Sequence, residues 1–241
     1  MIESAVYTDI GGRPINEDSA VTHNVGNNYC YVLCDGLGGH GMGDIASQLV
    51  SNSIKNMFDN AKKINKSFLP TAFAVAEKDL LKKQIDLDAQ SKMKTTATAM
   101  VINGNKVFIS HIGDTRLYLF RKRKIVFRTL DHSIPQMLCL AGEITENEIR
   151  YHPDRNSLMK VMGVDEEIKS ENQKPIRIKK NDAFLLCSDG FWELIEDDTM
   201  CELLEQSCSV QEWLDKMSRC VLENGKGKNM DNNTAIAVWV R

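Results

Sequence analysis

Short runs of apolar or alternating residues mark the predicted strands. The runs 29–34 and 183–187 are apolar throughout, which is typical of strands buried on both faces. Looser alternation predicts further strands at 3–10, 19–23 and 234–240. Between Thr95 and Thr129, β-rich runs are separated by the turn sequences NGN, GD and KRK. This segment therefore predicts an antiparallel meander.

Apolar residues recur at helical spacing in three other segments. One helix is predicted from Gly43 to about Asn60, one after Pro70 and one from Val210 to Val221. Residues 131–170 contain only two short helical patterns among polar residues, so we expect an irregular excursion there. The chain is thus predicted to contain both strands and helices.

Two predicted strands end in an Asp-Gly pair, Asp35-Gly36 and Asp189-Gly190. A carboxylate at the end of a buried strand is costly unless it is paired or ligated. The first pair opens a glycine-rich stretch, 36–43, in which a ligand can approach the main chain. A glycine-rich turn with a capping aspartate explains this stretch equally well by itself. This alternative explains poorly why an apolar strand followed by an Asp-Gly pair occurs a second time, at Asp189-Gly190.

Composition excludes several classes of function. The 241 residues are 42% hydrophobic and 26% charged, with a formal charge of −3, so no basic bias favours nucleic acid. The seven cysteines are odd in number and include no CxxC pair, which predicts reduced thiols. No run approaches the ~18 apolar residues of a membrane span. We expect a soluble, cytoplasmic protein.

Acidic residues occupy five predicted strand boundaries. They stand at 17–18, 35, 114, 189 and 231. If these boundaries meet at one edge of a two-sheet structure, the carboxylates repel one another, and cations resolve that conflict. Oxygen ligands without paired His or Cys favour Mg²⁺ or Mn²⁺ over zinc, and two such ions with a nearby arginine suit hydrolysis of a phosphate ester. The alternative, ordinary turn aspartates and a turn salt bridge at Arg13, explains each position separately.

Seven short motifs follow one another along the chain. They are Arg13-Pro-Ile-Asn-Glu17-Asp18, Asp35-Gly36-Leu-Gly-Gly-His40, Thr95-Thr96-Ala97, Gly113-Asp114-Thr115-Arg116, Asp131-His-Ser133, Cys187-Ser188-Asp189-Gly190 and Asp231-Asn232-Asn233-Thr234. With this ordered set, the chain resembles the bacterial type of metal-dependent protein phosphatases of the protein phosphatase 2C (PP2C, PPM) family. The resemblance extends from residue 13 to 234, over essentially the whole chain.

The resemblance implies an α+β fold, a four-layer α-β-β-α sandwich in which two packed antiparallel sheets are flanked by helices. It implies a single domain over 1–241 with a mobile flap at about 131–170. The implied reaction is hydrolysis of phosphoserine and phosphothreonine in proteins by a hydroxide that bridges two Mn²⁺ or Mg²⁺ ions. Asp35 would bridge these ions, Asp189 and Asp231 would complete the first, and the Gly36 carbonyl would serve the second.

Further roles follow from the same resemblance. Asp18 would hold metal-bound water, Glu17 would touch the second ion, and Arg13 would bind the substrate phosphate. Asp114, together with Asp189, would hold a third, weaker ion. His40 is a candidate general acid, with a structural or water-binding role as the alternative, because it lies later than the histidine of animal-type members.

Two of the departures from the family pattern are Thr115 for Ser and Lys160 for Arg. The first keeps the hydroxyl, whereas the second loses a planar guanidinium and its forked contact. We expect phosphorylated proteins as partners, with a cognate Ser/Thr kinase and its substrates as the natural set, no nucleic acid or membrane, and a monomer. The alternatives are a catalytically weak scaffold or sensor and a partner-switching phosphatase.

Overall fold

The computed structural model describes residues 1–37, 41–90, 92–164 and 169–241. The strands within these ranges are β1 Ile2–Asp9, β2 Asp18–Val25, β3 Asn28–Asp35, β4 Ala97–Asn103, β5 Lys106–Ile112, β6 Arg116–Arg121, β7 Lys124–Arg128, β8 Glu171–Asn172, β9 Ile176–Arg177, β10 Ala183–Cys187 and β11 Asn233–Val240. The helices are α1 Gly43–Asp59, α2 Phe68–Asp86, α3 Ile134–Ala141, α4 Glu146–Ile149, α5 Asp189–Trp192, α6 Asp197–Glu205 and α7 Val210–Gly225. The three long helices predicted from the sequence are confirmed.

The strands form two antiparallel sheets. One has the order β1-β11-β10-β6-β7, and the other has the order β2-β3-β4-β5-β8 with β9 also paired to β5. Apolar residues of both sheets, such as Leu33, Phe184 and Ile236, share one core cluster between them. Separate clusters join the second sheet to α1 and α2, and the first sheet to α5, α6 and α7. The four-layer α-β-β-α sandwich is therefore confirmed.

The predicted single meander from Thr95 to Thr129 is wrong in its middle. Strands β4 and β5 pair with each other, as do β6 and β7, but the two hairpins belong to different sheets. The chain crosses between the sheets at Gly113 and Asp114. Nearly every residue from β4 to β6 is buried, so polarity along the sequence does not indicate the sheet to which each strand belongs.

Helices α3 and α4 lie in the described part of the predicted flap. Ser133 caps α3 by accepting a hydrogen bond from the Gln136 backbone, and Thr145 and Glu148 form a capping box on α4. Residues 165–168, in the acidic run of this segment, lie outside the described residues.

None of the helices described has both the length and the hydropathy that crossing a bilayer requires.

Candidate metal centre

Asp18 and Asp35 face each other at one end of the β2–β3 pair. They are directly opposed residues, because β2 begins with Asp18 and β3 ends with Asp35. Two threonines hold the Asp35 main chain. The Thr96 hydroxyl accepts from the Asp35 N–H at 3.1 Å, and the Thr95 hydroxyl donates to the Asp35 carbonyl at 2.8 Å. The antiparallel register thus brings together two acidic residues that stand 17 positions apart.

The other sheet supplies Asp189 and Asp231. Asp189 lies two positions after the end of β10, as the first residue of α5, and Asp231 lies two positions before β11. Ser188 joins the two sheets at this point. Its hydroxyl donates to Asp18 Oδ2 at 2.9 Å and accepts from the Thr234 N–H at 3.0 Å. The four acidic residues Asp18, Asp35, Asp189 and Asp231, which we call the aspartate cluster, therefore lie where the two sheets meet.

Burial and mutual repulsion raise the pKa values of three residues of the cluster, Asp18, Asp35 and Asp189. Burial raises the pKa of Asp35 well above its ordinary value, and Asp18 and Asp189 raise it further. For Asp18, burial is again the first cause, and its pKa rises to about 7 although Ser188 and Thr234 hydrogen bonds oppose the shift. Burial and then Asp231 raise the pKa of Asp189 to about 6. These carboxylates thus lack the countercharge that would keep them ionised.

Asp114 lies beside the cluster at the crossing between the sheets. Its pKa is raised well above the ordinary value by burial, then by Asp189 and Asp131. The Trp192 indole N–H donates to the Asp114 carbonyl at 3.1 Å, which anchors the crossing to α5. The sequence motif alone is compatible with a common turn aspartate, but the structure buries this residue next to Asp189.

Glu17 and Gly36 border the cluster near the start of α1. Burial raises the pKa of Glu17, while a hydrogen bond from the Gly43 backbone lowers it. A Cβ atom on Gly36 would lie 2.4 Å from the Gly43 carbonyl oxygen, so only glycine fits at this position. Gly36 therefore allows the end of β3 to pass close to the first turn of α1.

Arg13 forms an ion pair with Asp231. The distance from its Nη2 to Asp231 Oδ2 is 2.7 Å, and the two side chains are 46% and 39% exposed. A salt bridge was the alternative reading of Arg13, but the partner is Asp231 rather than the neighbouring Glu17 or Asp18. His40, the candidate general acid, lies outside the described residues, as do the adjacent Gly38 and Gly39.

Sequence reasoning missed Glu193 and Arg155. Burial and then Asp189 raise the pKa of Glu193 to about 7. Arg155, in the predicted flap, donates from Nε to Glu193 Oε2 at 3.0 Å. Glu193 follows Asp189 by four positions, a spacing that places two side chains on one face of a helix and could have indicated it. For Arg155 no local signal exists, because only the folded chain brings 155 to 193.

The donor atoms of the cluster suit hard divalent cations. All of them are oxygens, the kind of ligand that Mg²⁺ and Mn²⁺ prefer. The Oδ1 atom of Asp18 is buried and has no hydrogen-bond partner among the residues described. A buried acceptor of this kind is costly unless a donor, water or cation reaches it. The residues therefore fit a metal ion, and the aspartate cluster forms the candidate metal centre.

Comparison with known proteins supports a relationship along the whole chain. The family described as protein phosphatase 2C matches residues 11–235. The serine/threonine phosphatase Stp of Listeria welshimeri is 29% identical over 209 residues, which cover 84% of this chain and 82% of that protein. Each of these matches spans the fold rather than a single motif.

Solved structures show the same likeness. The serine/threonine phosphatase Stp1 of Staphylococcus aureus is 30% identical, with a TM-score of 0.91 over 100% of this chain and 96% of that chain. The catalytic domain of the phosphatase PstP, solved in complex with two manganese ions, is 28% identical, with a TM-score of 0.83 over 100% and 99% of the two chains. The family match at residues 11–235 covers most of the 241 residues, including the positions of the aspartate cluster, and the chain belongs to the protein phosphatase 2C family.

Proposed function

We propose that the chain is a Mn²⁺- or Mg²⁺-dependent phosphatase that hydrolyses phosphoserine and phosphothreonine in proteins. One observation carries the proposal: the two sheets meet at four aspartates, where the buried Oδ1 of Asp18 has no partner among the described residues. Carboxylates that raise one another's pKa values are stabilised by bound cations. The manganese ions in the PstP structure and the names of the relatives support the same activity.

In this proposal the ligands come from both sheets. Asp35 would be a ligand of both ions, Asp189 and Asp231 would be ligands of the first, and the Gly36 carbonyl would be a ligand of the second. Asp18 would hold metal-bound water, Glu17 would touch the second ion, and Asp114 with Asp189 would hold a third. When bound, Mn²⁺ or Mg²⁺ lowers the pKa of water, so that hydroxide is available near neutral pH.

The protein groups orient the phosphate and hold protons. Arg13 offers a guanidinium fork to the phosphate oxygens, which favours bidentate binding of a tetrahedral dianion. Its half-exposed position, at the rim of the cluster beside Asp231, leaves it within reach of a bound substrate. Ser188 holds Asp18 in place through its hydroxyl. His40 is the candidate general acid of this proposal, with a structural or water-binding role as the alternative.

We also propose a cellular setting by analogy with the relatives. The substrates would include targets of a cognate Ser/Thr kinase, and the kinase itself, in a cytoplasmic signalling pathway. The chain would act as a monomer and as one domain over residues 1–241. A catalytically weak scaffold of the same fold is the second reading. It is disfavoured because such a protein has no need to bury several repelling carboxylates together.

The deciding experiment is hydrolysis of an aryl phosphate and of a phosphothreonine peptide in Mn²⁺ and in excess chelator. We expect chelator to abolish both activities. Asp35→Asn and Asp189→Asn should each lower kcat by at least about 100-fold, because each removes a ligand charge, the scale of a key electrostatic contact. Asp215→Asn, an exposed change on α7, serves as the matched control and should retain full activity.

Two outcomes would separate the readings. Full activity in chelator, or in both Asn variants, would contradict metal-dependent catalysis at this site. Binding of Mn²⁺ without hydrolysis of either substrate would favour the scaffold. Calorimetric titration of Mn²⁺ into the same proteins shows whether a variant is inactive because it no longer binds the ion or although it still binds it.

A further inference from the structure

Three residues outside the aspartate cluster form a second polar group. His111 lies on β5, His132 follows β7, and Glu171 begins β8, where it is the register partner of His111. Their potential ligand atoms all lie within 4.8 Å of one another. The two imidazole rings are stacked, with centroids 4.7 Å apart and planes inclined by 3°. Glu171 Oε2 lies 3.3 Å from His132 Nε2.

The hydrogen bonds define where the ring protons are. The Gly113 N–H donates to His132 Nδ1 at 3.0 Å, and a ring nitrogen that accepts carries no proton. The neutral ring must then carry its proton on Nε2, which faces Glu171. In His111, Nε2 lies 2.8 Å from the Leu130 carbonyl oxygen, which only accepts, so its proton is also on Nε2.

This proton assignment disfavours a metal ion within the group. A cation on His132 Nε2 would displace its proton, while Nδ1 still serves as the acceptor for Gly113. The ring would then have to become an imidazolate, or the Gly113 hydrogen bond would have to break. His111 Nδ1 has a free lone pair, buried without a partner in the described part of the chain, but one imidazole nitrogen and Glu171 make an incomplete site.

Gly113 is held by His132 from two sides. Besides the bond to Nδ1, the His132 backbone N–H donates to the Gly113 carbonyl at 3.0 Å. These bonds fix the peptide planes on either side of Gly113, and the second plane carries the nitrogen of Asp114. Gly113 has a φ of +100°, and a Cβ there would lie 2.5 Å from Thr96 Cγ2, so the crossing has little other freedom.

We propose that His132 is a positioning residue for Asp114. Glu171 holds the His132 ring through Nε2, the ring stacks on His111, and its Nδ1 accepts from the N–H of Gly113, the residue before Asp114. Glu171 lies where the chain returns from the predicted flap, so the arrangement joins the base of that segment to the metal centre. The inference rests on the proposed role of Asp114 as a ligand of a third ion.

The test uses two substitutions that differ in one acceptor. His132→Asn places an oxygen where Nδ1 stood and can still accept from Gly113, whereas His132→Leu removes the acceptor. In calorimetric titrations with Mn²⁺, we expect His132→Leu to lower the affinity for the most weakly bound ion about 10-fold, or about 1.4 kcal/mol. His132→Asn should remain within about 2-fold of the unchanged protein by the same conversion. His152→Leu is the matched control, since His152 Nδ1 accepts only from nearby Asp154.

Two measurements on the metal-free protein test the contact itself. Ring ¹⁵N shifts should show both histidines with the proton on Nε2. Amide exchange at Gly113 should accelerate in His132→Leu and stay slow in His132→Asn. A proton on His132 Nδ1, or unchanged amide exchange of Gly113 in His132→Leu, would overturn the proposal. A change in the ring ¹⁵N shifts when Mn²⁺ or Zn²⁺ is added to the Asp114→Asn variant would also overturn it, because it would place a metal ion on the histidines.

The same data separate this inference from the proposed function. If Asp114→Asn binds Mn²⁺ as the unchanged protein does, the third-ion role of Asp114 fails. Gly113 exchange and the ring shifts would still decide whether His132 holds the crossing. Equal Mn²⁺ affinities in His132→Leu and the unchanged protein, with Asp114→Asn impaired, would reject His132 as a positioning residue.

Discussion

Single hydrogen bonds decide how the carboxylates of the metal centre are held. The Ser188 hydroxyl donates a hydrogen bond to Asp18 and accepts one from the Thr234 N–H. One side chain thus forms hydrogen bonds with groups of both sheets. The other oxygen of Asp18 has no hydrogen-bond partner among the described residues and is available to a ligand. A buried acceptor that keeps one hydrogen bond and offers its second oxygen is suited to a cation.

Ser188→Ala should therefore weaken the metal centre as well as the fold. Removing the hydroxyl takes away the acceptor of the buried Thr234 N–H and one hydrogen bond of Asp18, which we expect to cost about 1–3 kcal/mol of unfolding free energy. Mn²⁺ affinity should fall in parallel, measured by calorimetry and by denaturant unfolding. Ser207→Ala is the control, because that hydroxyl only contacts a helix carbonyl at 2.7 Å. Equal losses in the two variants would contradict the special role of Ser188.

At the scale of elements, the crossing from β5 to β6 positions one acidic residue of the site. It sends the chain from one sheet to the other and places Asp114 beside Asp189. Gly113 packs against the Thr96 side chain there, and the Thr96 and Thr115 hydroxyls are hydrogen-bonded at 2.6 Å. The departure to Thr115 thus keeps the hydroxyl contact. Lys160 also has a partner, since its Nζ contacts the Lys169 carbonyl.

Gly113→Ala should be much more harmful than a similar change in an ordinary hairpin. The added methyl would meet Thr96 at 2.5 Å, and positive φ adds strain, so we expect a loss of about 3 kcal/mol or more. Gly104→Ala, in the β4–β5 turn with a φ of +58° and open space, should cost only about 1 kcal/mol. Urea unfolding of both variants compares them, and similar losses would contradict the packing argument.

Helix α3 is the second element with a functional prediction. Met137 and Leu140 are 51% and 62% exposed, so neither supports the core. Because loops and short elements beside a site commonly control access, Met137→Ala with Leu140→Ala should lower kcat/KM several-fold for a phosphoprotein. Turnover of an aryl phosphate should stay unchanged. A matching loss on both substrates would count against a role of this segment in substrate access.

At the scale of the whole molecule, the metal centre couples stability to pH. Burial raises the pKa of Asp18 to about 7 and that of Asp189 to about 6, well above unfolded aspartate at about 3.9. Between these values the folded chain binds more protons than the unfolded chain. Its stability therefore decreases as pH rises through this window when no cation is bound.

The melting temperature in chelator should accordingly fall from pH 5 to pH 7.5. Each kcal/mol lost corresponds to about 2–4 °C for a chain of this size. Mn²⁺ should raise the melting temperature, and more at pH 7.5 than at pH 5, since it binds the ionised carboxylates. Asp18→Asn should flatten the dependence in chelator. A melting temperature that rises with pH in chelator would contradict the raised pKa values.

Much of this protein was predictable from its sequence. Periodicity located the long helices, because an amphipathic helix carries its burial pattern within some 18 residues. The repeated Asp-Gly form at Asp35 and Asp189 indicated a ligand site, because a carboxylate at the end of a buried strand needs a partner. The ordered motifs from Arg13 to Asp231 then implied the family and the ion type.

Only the tertiary structure decided which distant residues meet. It assigned the hairpins β4–β5 and β6–β7 to different sheets, paired Arg13 with Asp231 and brought Arg155 to Glu193. It also joined His132 to Gly113 and Glu171. The physical reason is that periodicity and turn chemistry are local, whereas sheet membership and ion pairing depend on residues far apart in the sequence, such as Arg155 and Glu193, which are 38 positions apart. The sequence determined the elements and the chemistry, and packing determined the geometry of the site.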